Sequence, residues 1–396
     1  MFATVVIAIL LTWFGRHLIR IRTERPIVAH VESAGGSAYY DYQLESGRVD
    51  TTKPPVGPSV IRAILGDDIF ATVNVVFLDD ADTTDADVEN LHQLSDLLDL
   101  SITGSGVTDD CLDDLLRIRK LRSLNLTDTS ISADGLARLS QSFALQQITL
   151  YGSSITDDHL KQLSQFPNLQ FLQIIRAPVT DDGIVSLGAI TKLRHLDLFM
   201  TGPGWPNPVP GSRNTDVTDL GLQKLGQLSD LEQLRILKTA ITDDALGTIA
   251  LMTKLRFLTL DGHPITNDGV VQLRSLVSLE VLKLANTQIG DKALEVISQL
   301  ESLRYLDVSG TSITDAGLVH LSTLSNLETL NLNSTTLTND GLLSLTALAS
   351  LRTLDVQIDN GITLDGVEAL KVQLPSCTIR FWEMRPDGSG TLAGAR

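Results

Sequence analysis

A repeat of 24 residues occupies most of this 396-residue chain and constrains its fold more than any other feature. Apolar residues, nearly all of them leucine, open successive segments of that length at Val73, Leu97, Leu121, Leu145, Leu169 and Leu193. After a longer interval the series resumes at Leu231, Leu255, Leu279, Leu303, Leu327 and Leu351. Because short repeats cannot bury an apolar face alone, we expect the twelve repeats to stack and share one core.

Each repeat combines two periodicities. In the repeat 303–326, apolar residues up to Val308 alternate with polar or aromatic ones, which predicts a strand whose side chains point to opposite faces. From Leu318 onward leucines recur at every third residue, which predicts a short helix with one apolar face. Thr314 precedes this segment and has the right side chain to cap it. The pattern therefore predicts one strand and one short helix in every repeat.

These residues, and the recurring I-T-D-x-G-L segment seen at 313–318, resemble the leucine-rich repeat superfamily. Within it they are most similar to the ribonuclease-inhibitor-like and F-box-associated repeats. The resemblance covers residues 73 to about 376 and implies an α/β fold, a curved horseshoe-shaped solenoid. It places a parallel sheet on the concave face, short helices on the convex face, and macromolecular binding on the concave face. The sequence contains no F-box, so a ubiquitin-ligase role is not implied.

Two repeat positions depart from the familiar pattern. Where many leucine-rich repeats have a buried asparagine after the strand, this chain has mainly threonine or serine, as at Thr287, Thr311 and Thr335. We interpret these hydroxyls as structural, because a buried turn needs partners for its backbone groups. The glycine of I-T-D-x-G-L is replaced by Ala245 and Ala293 in two repeats, so close approach of neighbouring helices explains it better than a left-handed backbone does.

The sequence predicts four regions. Residues 1–25 form an apolar membrane anchor with a basic collar, and residues 26–72 form an N-terminal cap. Residues 73–376 contain the twelve repeats, with an insertion at 202–216, and residues 377–396 contain a closing strand and a loose polar tail. Both ends are expected to cover the sheet edges and the apolar layer that an open solenoid would otherwise expose.

The N-terminal segment is the basis for the predicted anchor. Residues 1–14 carry no charge, and four arginines follow, at Arg16, Arg20, Arg22 and Arg25. A helix of fourteen residues rises about 21 Å, which is less than the roughly 30 Å of a bilayer core unless residues up to Ile21 also enter it. We expect a single-pass N-terminal anchor that resembles those of membrane-anchored bacterial leucine-rich repeat proteins. The alternative is an N-terminal helix packed on the protein body.

Composition and motifs exclude several functional classes. Lys and Arg number 31 against 48 Asp and Glu, a net charge of −17 that disfavours nucleic acid as the partner. Two cysteines, Cys111 and Cys377, exclude a disulfide-stapled scaffold and a four-cysteine metal site. Hydrolase, nucleotide-binding and metalloprotease motifs are absent from the sequence. We therefore predict a chain that is not an enzyme and that needs neither cofactor nor metal.

Two groups of polar residues are candidate sites. His195 and Asp197 lie two residues apart and face the same side of one predicted strand, and we interpret them as a polar pair on a recognition surface rather than as catalytic groups. The acidic cluster from Asp79 to Asp87 lacks the spacing of a calcium loop. Similar Asp pairs recur with the repeat, which favours helix capping.

A central partner-binding surface is the positive functional prediction. At the third, fifth, seventh and eighth positions, large apolar and basic side chains cluster in the central repeats, whereas the first repeat and the last four carry mostly Asp, Ser, Thr, Asn and Gly. The insertion 202–216 adds Trp205 and follows the same strands. The predicted partner-binding residues are Tyr151, Phe171, Ile175, Arg176, His195, Phe199, Met200, Trp205, Arg235, Leu237, Lys238, Phe257 and Lys283. They predict a protein or peptide ligand.

Alternative interpretations remain open at this point. The chain could be a structural spacer in an envelope assembly that acts through its acidic surface, and a hydrolase is a remote alternative. The insertion 202–216 could cover the apolar patch instead of binding a partner.

Overall fold

The computed structural model describes residues 2–45, 48–142, 144–200, 217–358, 361–384 and 390–395. It has two compact parts, Met1–Leu169 and Gln170–Arg396. In both parts strands alternate with short helices along the chain, and short 3₁₀ helices extend or replace some of the α-helices.

The N-terminal part contains a sheet in which β1 is antiparallel to β4, and β4 to β7 follow one another in parallel. A small hairpin of β2 and β3 lies outside this sheet. The elements are α1 (Phe2–Ser33), β1 (Ser37–Tyr40), β2 (Leu44–Glu45), β3 (Arg48–Val49), α2 (Ser59–Leu65), β4 (Val73–Leu78), α3 (Asp85–Val88), β5 (Asp99–Thr103), α4 (Leu112–Arg117), β6 (Ser123–Thr127), α5 (Ala133–Leu139), β7 (Gln147–Tyr151) and α6 (Asp157–Leu163).

The C-terminal part contains a sheet that is parallel from β8 to β16 and ends with β17 antiparallel to β16. Its elements are β8 (Phe171–Ile175), α7 (Asp181–Leu187), β9 (His195–Phe199), α8 (Asp219–Leu222), β10 (Gln233–Leu237), α9 (Asp243–Ile249), β11 (Phe257–Thr259), α10 (Asn267–Val270), β12 (Val281–Lys283), α11 (Asp291–Ile297), β13 (Tyr305–Asp307), α12 (Asp315–Leu318), β14 (Thr329–Asn331), α13 (Asn339–Ser344), β15 (Thr353–Ile358), α14 (Leu364–Gln373), β16 (Thr378–Met384) and β17 (Gly390–Ala395). The predicted fold class, an α/β leucine-rich repeat solenoid, is confirmed.

The core is built from leucines stacked in register between the strands and the helices. Leu258, Leu282, Leu306, Leu330 and Leu354 pair in sequence across β11 to β15, and each is 0% exposed. Burying one such side chain contributes about 1.5–3 kcal/mol. The repeat length keeps the same side chain at the same level in every strand, so the stack has no break in its apolar row.

An aspartate that begins the helix of one repeat holds the helix cap of the next. The carboxylate of Asp243 accepts hydrogen bonds from the Thr266 backbone N–H at 2.8 Å and from its hydroxyl at 2.5 Å. Thr266 in turn caps α10 through the Asp268 N–H. We call this arrangement the Asp–Thr clamp. It recurs at Asp85–Thr108, Asp181–Thr218, Asp219–Thr242, Asp291–Thr314 and Asp315–Thr338.

The clamp also explains the glycine of the I-T-D-x-G-L segment. A Cβ added at Gly269 would overlap the carboxylate of Asp243. The close approach expected at this position is therefore real, but its partner is the clamp aspartate at the start of the preceding helix. Ala245 stands at the same position next to an intact clamp of Asp219 and Thr242, so the backbone can also adjust to a methyl group there.

The hydroxyls that replace the familiar asparagine have the structural role expected of them. Thr287, Thr311 and Thr335 each donate a hydrogen bond to the carbonyl three residues earlier, at 2.7, 2.6 and 2.6 Å. Thr287 and Thr311 are buried. Each bond satisfies a turn carbonyl that would otherwise lie buried without a donor.

Helix α1 is longer than the sequence suggests. The sequence predicts an anchor that ends at residue 25 and a separate cap after it, but α1 runs without a break from Phe2 to Ser33 and crosses that boundary. Its second half packs on the protein body, with Ile21, Ile27 and Val31 buried. The Arg20 guanidinium donates to the Ala71 carbonyl at 2.7 Å. Within the described residues, no helix meets the length and apolarity needed for a membrane span.

The C-terminal end also differs from expectation. The closing strand is present as β16, but Gly390–Ala395 form β17 where a loose tail was expected. An antiparallel strand added to β16 covers backbone groups that would otherwise form a free sheet edge.

Candidate functional site

The candidate site is the sheet face of β8 to β12 that points away from the buried leucines. Strand side chains alternate, so the third, fifth and seventh residues of each repeat share this face. We call it the β8–β12 face, and those of its residues that lie within the strands are Phe171, Gln173, Ile175, His195, Asp197, Phe199, Gln233, Arg235, Leu237, Phe257, Thr259, Val281 and Lys283.

An apolar row crosses three strands of this face. Ile175 pairs with Phe199, and Phe199 pairs with Leu237, so the three side chains lie in register at the ends of β8, β9 and β10. All three are only half-buried. Neighbouring strands are about 4.8 Å apart, so the row extends about 10 Å. Strands β13 to β15 carry polar side chains at the corresponding positions, which makes the apolar row a local feature.

A buried carboxylate lies at the centre of the face. The side chain of Asp197 is 3% exposed. It accepts hydrogen bonds from Gln233 Nε2 at 3.1 Å and from Gln173 Nε2 at 3.4 Å, while Arg235 Nη1 lies 3.8 Å away. Burial raises the pKa of Asp197, and the Gln233 hydrogen bond and the Arg235 charge act in the opposite direction. Asp197 therefore orients two amides and one guanidinium on the surface.

His195 belongs to an aromatic contact. Its ring meets the Phe171 ring edge-on, with centroids 5.8 Å apart. The partners that orient Asp197 come from the neighbouring strands, as hydrogen bonds from Gln173 and Gln233. The Asp197 carboxylate is thus held by amide groups, and no hydroxyl or thiol is among the hydrogen-bond partners that the structure describes for it.

Two cations of the face are held against aromatic rings. The Arg235 guanidinium carbon lies 4.7 Å from the centroid of Phe257, and Lys283 Nζ lies 5.1 Å from that of Tyr305. In both pairs the ring belongs to the next strand. Such contacts contribute about 0.5–1 kcal/mol at exposed sites and fix the position of the charge. Tyr305 was not predicted as a site residue, although its aromatic side chain one repeat after Lys283 was a usable signal.

Arg176 and Lys238 stand at a backbone position that favours glycine. Their φ angles are 55° and 60°, in the left-handed region. At the same position other repeats have Gly262, Asn286 and Gly310, also with positive φ. A left-handed conformation costs a side-chain-bearing residue roughly 1–2 kcal/mol. The two basic residues are thus placed beside the apolar row at some cost in stability.

Three predicted site residues do not join this face. Met200 is 3% exposed and lies in the core, so its side chain is not available to a partner. Tyr151 ends β7 in the N-terminal part, where it is half-buried. Trp205 and the rest of the insertion 202–216 lie outside the described residues.

The acidic cluster near residue 80 is used inside the fold. Asp79 accepts a hydrogen bond from Ser101, Asp85 forms an Asp–Thr clamp with Thr108, and Asp87 accepts from the Thr84 backbone. Across the part of the chain that the structure describes, no group of three or more His, Cys, Asp and Glu side chains is arranged to hold a metal ion.

Comparison with known proteins agrees with this architecture. The family model described as "Leucine Rich repeat" matches residues 117–140, 275–298, 299–322 and 323–345. No curated protein matches the chain in sequence.

Two solved structures from Listeria monocytogenes are similar to the chain. An internalin (inlF) is 21% identical, with a TM-score of 0.57 over 81% of this chain and 92% of the internalin. Internalin C2 (inlC2) is 22% identical, with a TM-score of 0.41 over 57% of this chain and 84% of the internalin C2 chain. The similarity to the first extends to the fold and gives no information on a ligand. Four repeats thus match the leucine-rich repeat family model, and the chain has the leucine-rich repeat fold.

Proposed function

We propose that this chain is a non-catalytic module that binds a protein or peptide on the β8–β12 face and is tethered to a membrane by its N-terminal segment. One observation carries the binding proposal. The half-buried apolar row of Ile175, Phe199 and Leu237 lies beside cations held on aromatic rings, whereas β13 to β15 carry polar side chains at the positions of the row.

The size and chemistry of the face support this function. Five parallel strands span roughly 20–25 Å, which is the scale of a protein or peptide contact. Aromatic and arginine side chains dominate binding energy at interfaces because they bury much area at low entropic cost. Phe199, Arg235 and Phe257 provide three such side chains on adjacent strands.

Replacing Phe199, Arg235 and Phe257 together by alanine is expected to weaken partner binding by at least about 100-fold. Each is an anchor of the kind whose removal costs more than 1 kcal/mol. All three are surface side chains, so circular dichroism should remain unchanged. Capture of the partner from native membranes, measured by quantitative mass spectrometry, checks the loss.

A matched control changes Thr329, Thr353 and Gln357 to alanine. These residues lie on the same sheet face but on β14 and β15. We expect this variant to capture the partner normally. Capture that survives the first triple replacement would exclude the β8–β12 face as the binding surface.

The membrane tether is proposed from the uncharged residues 1–14. Because the Arg20 side chain is hydrogen-bonded to the Ala71 carbonyl, the part of α1 available to a bilayer precedes Arg20. This part is residues 2–19 of α1. Eighteen helical residues rise about 27 Å, close to the roughly 30 Å of a bilayer core.

Changing Val6 and Ile9 to lysine is expected to move the protein from the membrane pellet to the soluble fraction after a carbonate wash. Two charges in an apolar segment cost about 5–7 kcal/mol of insertion free energy. The control places the same two lysines at Val60 and Ile64, which are 71% and 76% exposed on α2, and should stay in the pellet. A soluble intact protein would contradict the tether.

A further inference from the structure

We infer that the segment captured by the β8–β12 face has an apolar half, which contacts Ile175, Phe199 and Leu237, and an acidic half, whose carboxylates bind Arg235 and Lys283. This inference rests on the proposed function and specifies the chemistry of the partner.

Local charge is the first argument. The whole chain has a net charge of −17, yet cations outnumber anions on this surface. The anions on or beside the face are Asp197, which is 3% exposed, Asp261, which accepts a hydrogen bond from the Ala285 N–H, and Asp307, which pairs with Lys283 in the strand register and accepts hydrogen bonds from Ser309 and Asn331. The cations on or beside the face are Arg176, Arg235, Lys238 and Lys283. A surface whose sign opposes that of the protein favours an acidic partner over a basic one.

Arg235 and Lys283 are positioned so that an anionic ligand can bind them. Arg235 is 37% exposed, and its contact with Asp197 is 3.8 Å long, so the charge is only partly compensated. Its Nε is buried and has no hydrogen-bond acceptor within the described residues, so the exposed end of the guanidinium is the part that a ligand can reach. Lys283 forms no ion pair with any residue that the structure describes. Both side chains are already ordered on rings, so binding a carboxylate costs them little further entropy.

Further along the sheet, Arg380 differs from Arg235 because its charge is paired inside the protein. Arg380 on β16 makes two hydrogen bonds of 2.5 Å to the Asp355 carboxylate on β15. Its donors toward that side are satisfied inside the protein. A bidentate pair of this kind is what Arg235 lacks, although a buried aspartate lies next to it.

Spacing separates the two halves of the proposed ligand. The apolar row covers β8 to β10, whereas Arg235 and Lys283 stand two strands apart on β10 and β12. Two strands correspond to about 9.6 Å. In a polyproline II segment, residues i and i+3 recur on one side at about 9.3 Å. The ligand therefore has apolar residues followed or preceded by two acidic residues three positions apart.

Selection from a phage-displayed library of random 16-residue peptides tests the inference, using the full chain in detergent. Peptides that bind the wild-type chain but not the variant Phe199→Ala are kept as face-dependent. We expect them to combine an apolar cluster with Asp or Glu three positions apart. The double variant R235Q and K283Q should bind them at least tenfold more weakly, and raised salt should weaken wild-type binding.

The matched control changes Arg256 and Arg304 to glutamine. Both arginines are exposed, and they pair with Glu280 and Glu328. This variant should bind the peptides as tightly as wild type. Face-dependent peptides that are basic or uncharged, or equal affinity for the R235Q and K283Q variant, would overturn the inference and leave the proposed function standing. A library without any face-dependent peptide would overturn the proposed function as well.

Discussion

Replacing Leu282 by alanine is expected to lower the free energy of unfolding by about 3 kcal/mol. The side chain is 0% exposed and stands in register between Leu258 and Leu306. Truncation removes buried apolar surface and leaves a cavity that the neighbouring rungs fill only in part, which costs 2–5 kcal/mol. Urea-induced unfolding of the full chain in detergent, followed by circular dichroism, measures the change.

The adjacent residue provides the control. Val281 belongs to the same strand but points to the opposite face, where it is half-buried. We expect Val281→Ala to cost about 1 kcal/mol or less, since its smaller side chain is not enclosed. Equal losses at the two positions would mean that the alternation of the strand does not separate core from surface, and the assignment of the β8–β12 face would fail with it.

Changing Asp243 to alanine is expected to lower the free energy of unfolding by about 2–3 kcal/mol. This aspartate accepts both the N–H and the hydroxyl of Thr266, and hydrogen bonds to a charged group contribute roughly 1.5–3 kcal/mol. Because each repeat is stabilised by its neighbours, loss of the clamp should also raise amide hydrogen exchange in α9 and α10.

Asp244 is the matched control for the clamp. It occupies the next position of α9, is exposed, and shares the favourable location near the helix N-terminus. Asp244→Ala should therefore cost less than about 1 kcal/mol, and the difference between the two variants isolates the clamp. If the two variants lose the same stability, the Asp–Thr bonds contribute nothing beyond the helix dipole.

The strand frame was predictable because a fixed repeat places the same side chain at the same level of every rung. From Leu97 onward, strands begin two residues after the residue that opens each described repeat, as at Phe171 and Tyr305. The burial of Thr287 and Thr311 was predictable for a related reason, since a turn repeated in this way needs the same internal donor each time. The repeat period therefore predicts the features that are common to all repeats, such as the start of each strand and the buried turn hydroxyl.

Features that depend on a single repeat were not predictable in the same way. Met200 occupies the eighth position, which elsewhere is outward-facing, but just before the insertion its side chain turns into the core. The burial of Asp197 depends on Gln173 and Gln233, which are close only because the strands on either side place them in register. The sequence indicated that this region was polar and aromatic, and it could not assign the pairings.

The Asp–Thr clamp was only partly predictable from the sequence. The recurrence of aspartate after threonine predicts helix capping, but the hydrogen bond from aspartate to the following repeat depends on how neighbouring helices face each other. The left-handed backbone at Arg176 and Lys238 was likewise visible in the glycine and asparagine residues at that position of other repeats.

The most direct test of the binding surface is photo-crosslinking in native membranes, with a photoreactive amino acid in place of Leu237 or of Gln357. Both are the seventh residue of their repeats and lie on the same sheet face, on β10 and β15. The account predicts a specific crosslinked partner from position 237 and none from position 357. Crosslinks from Gln357 alone, or equal crosslinks from both positions, would contradict it.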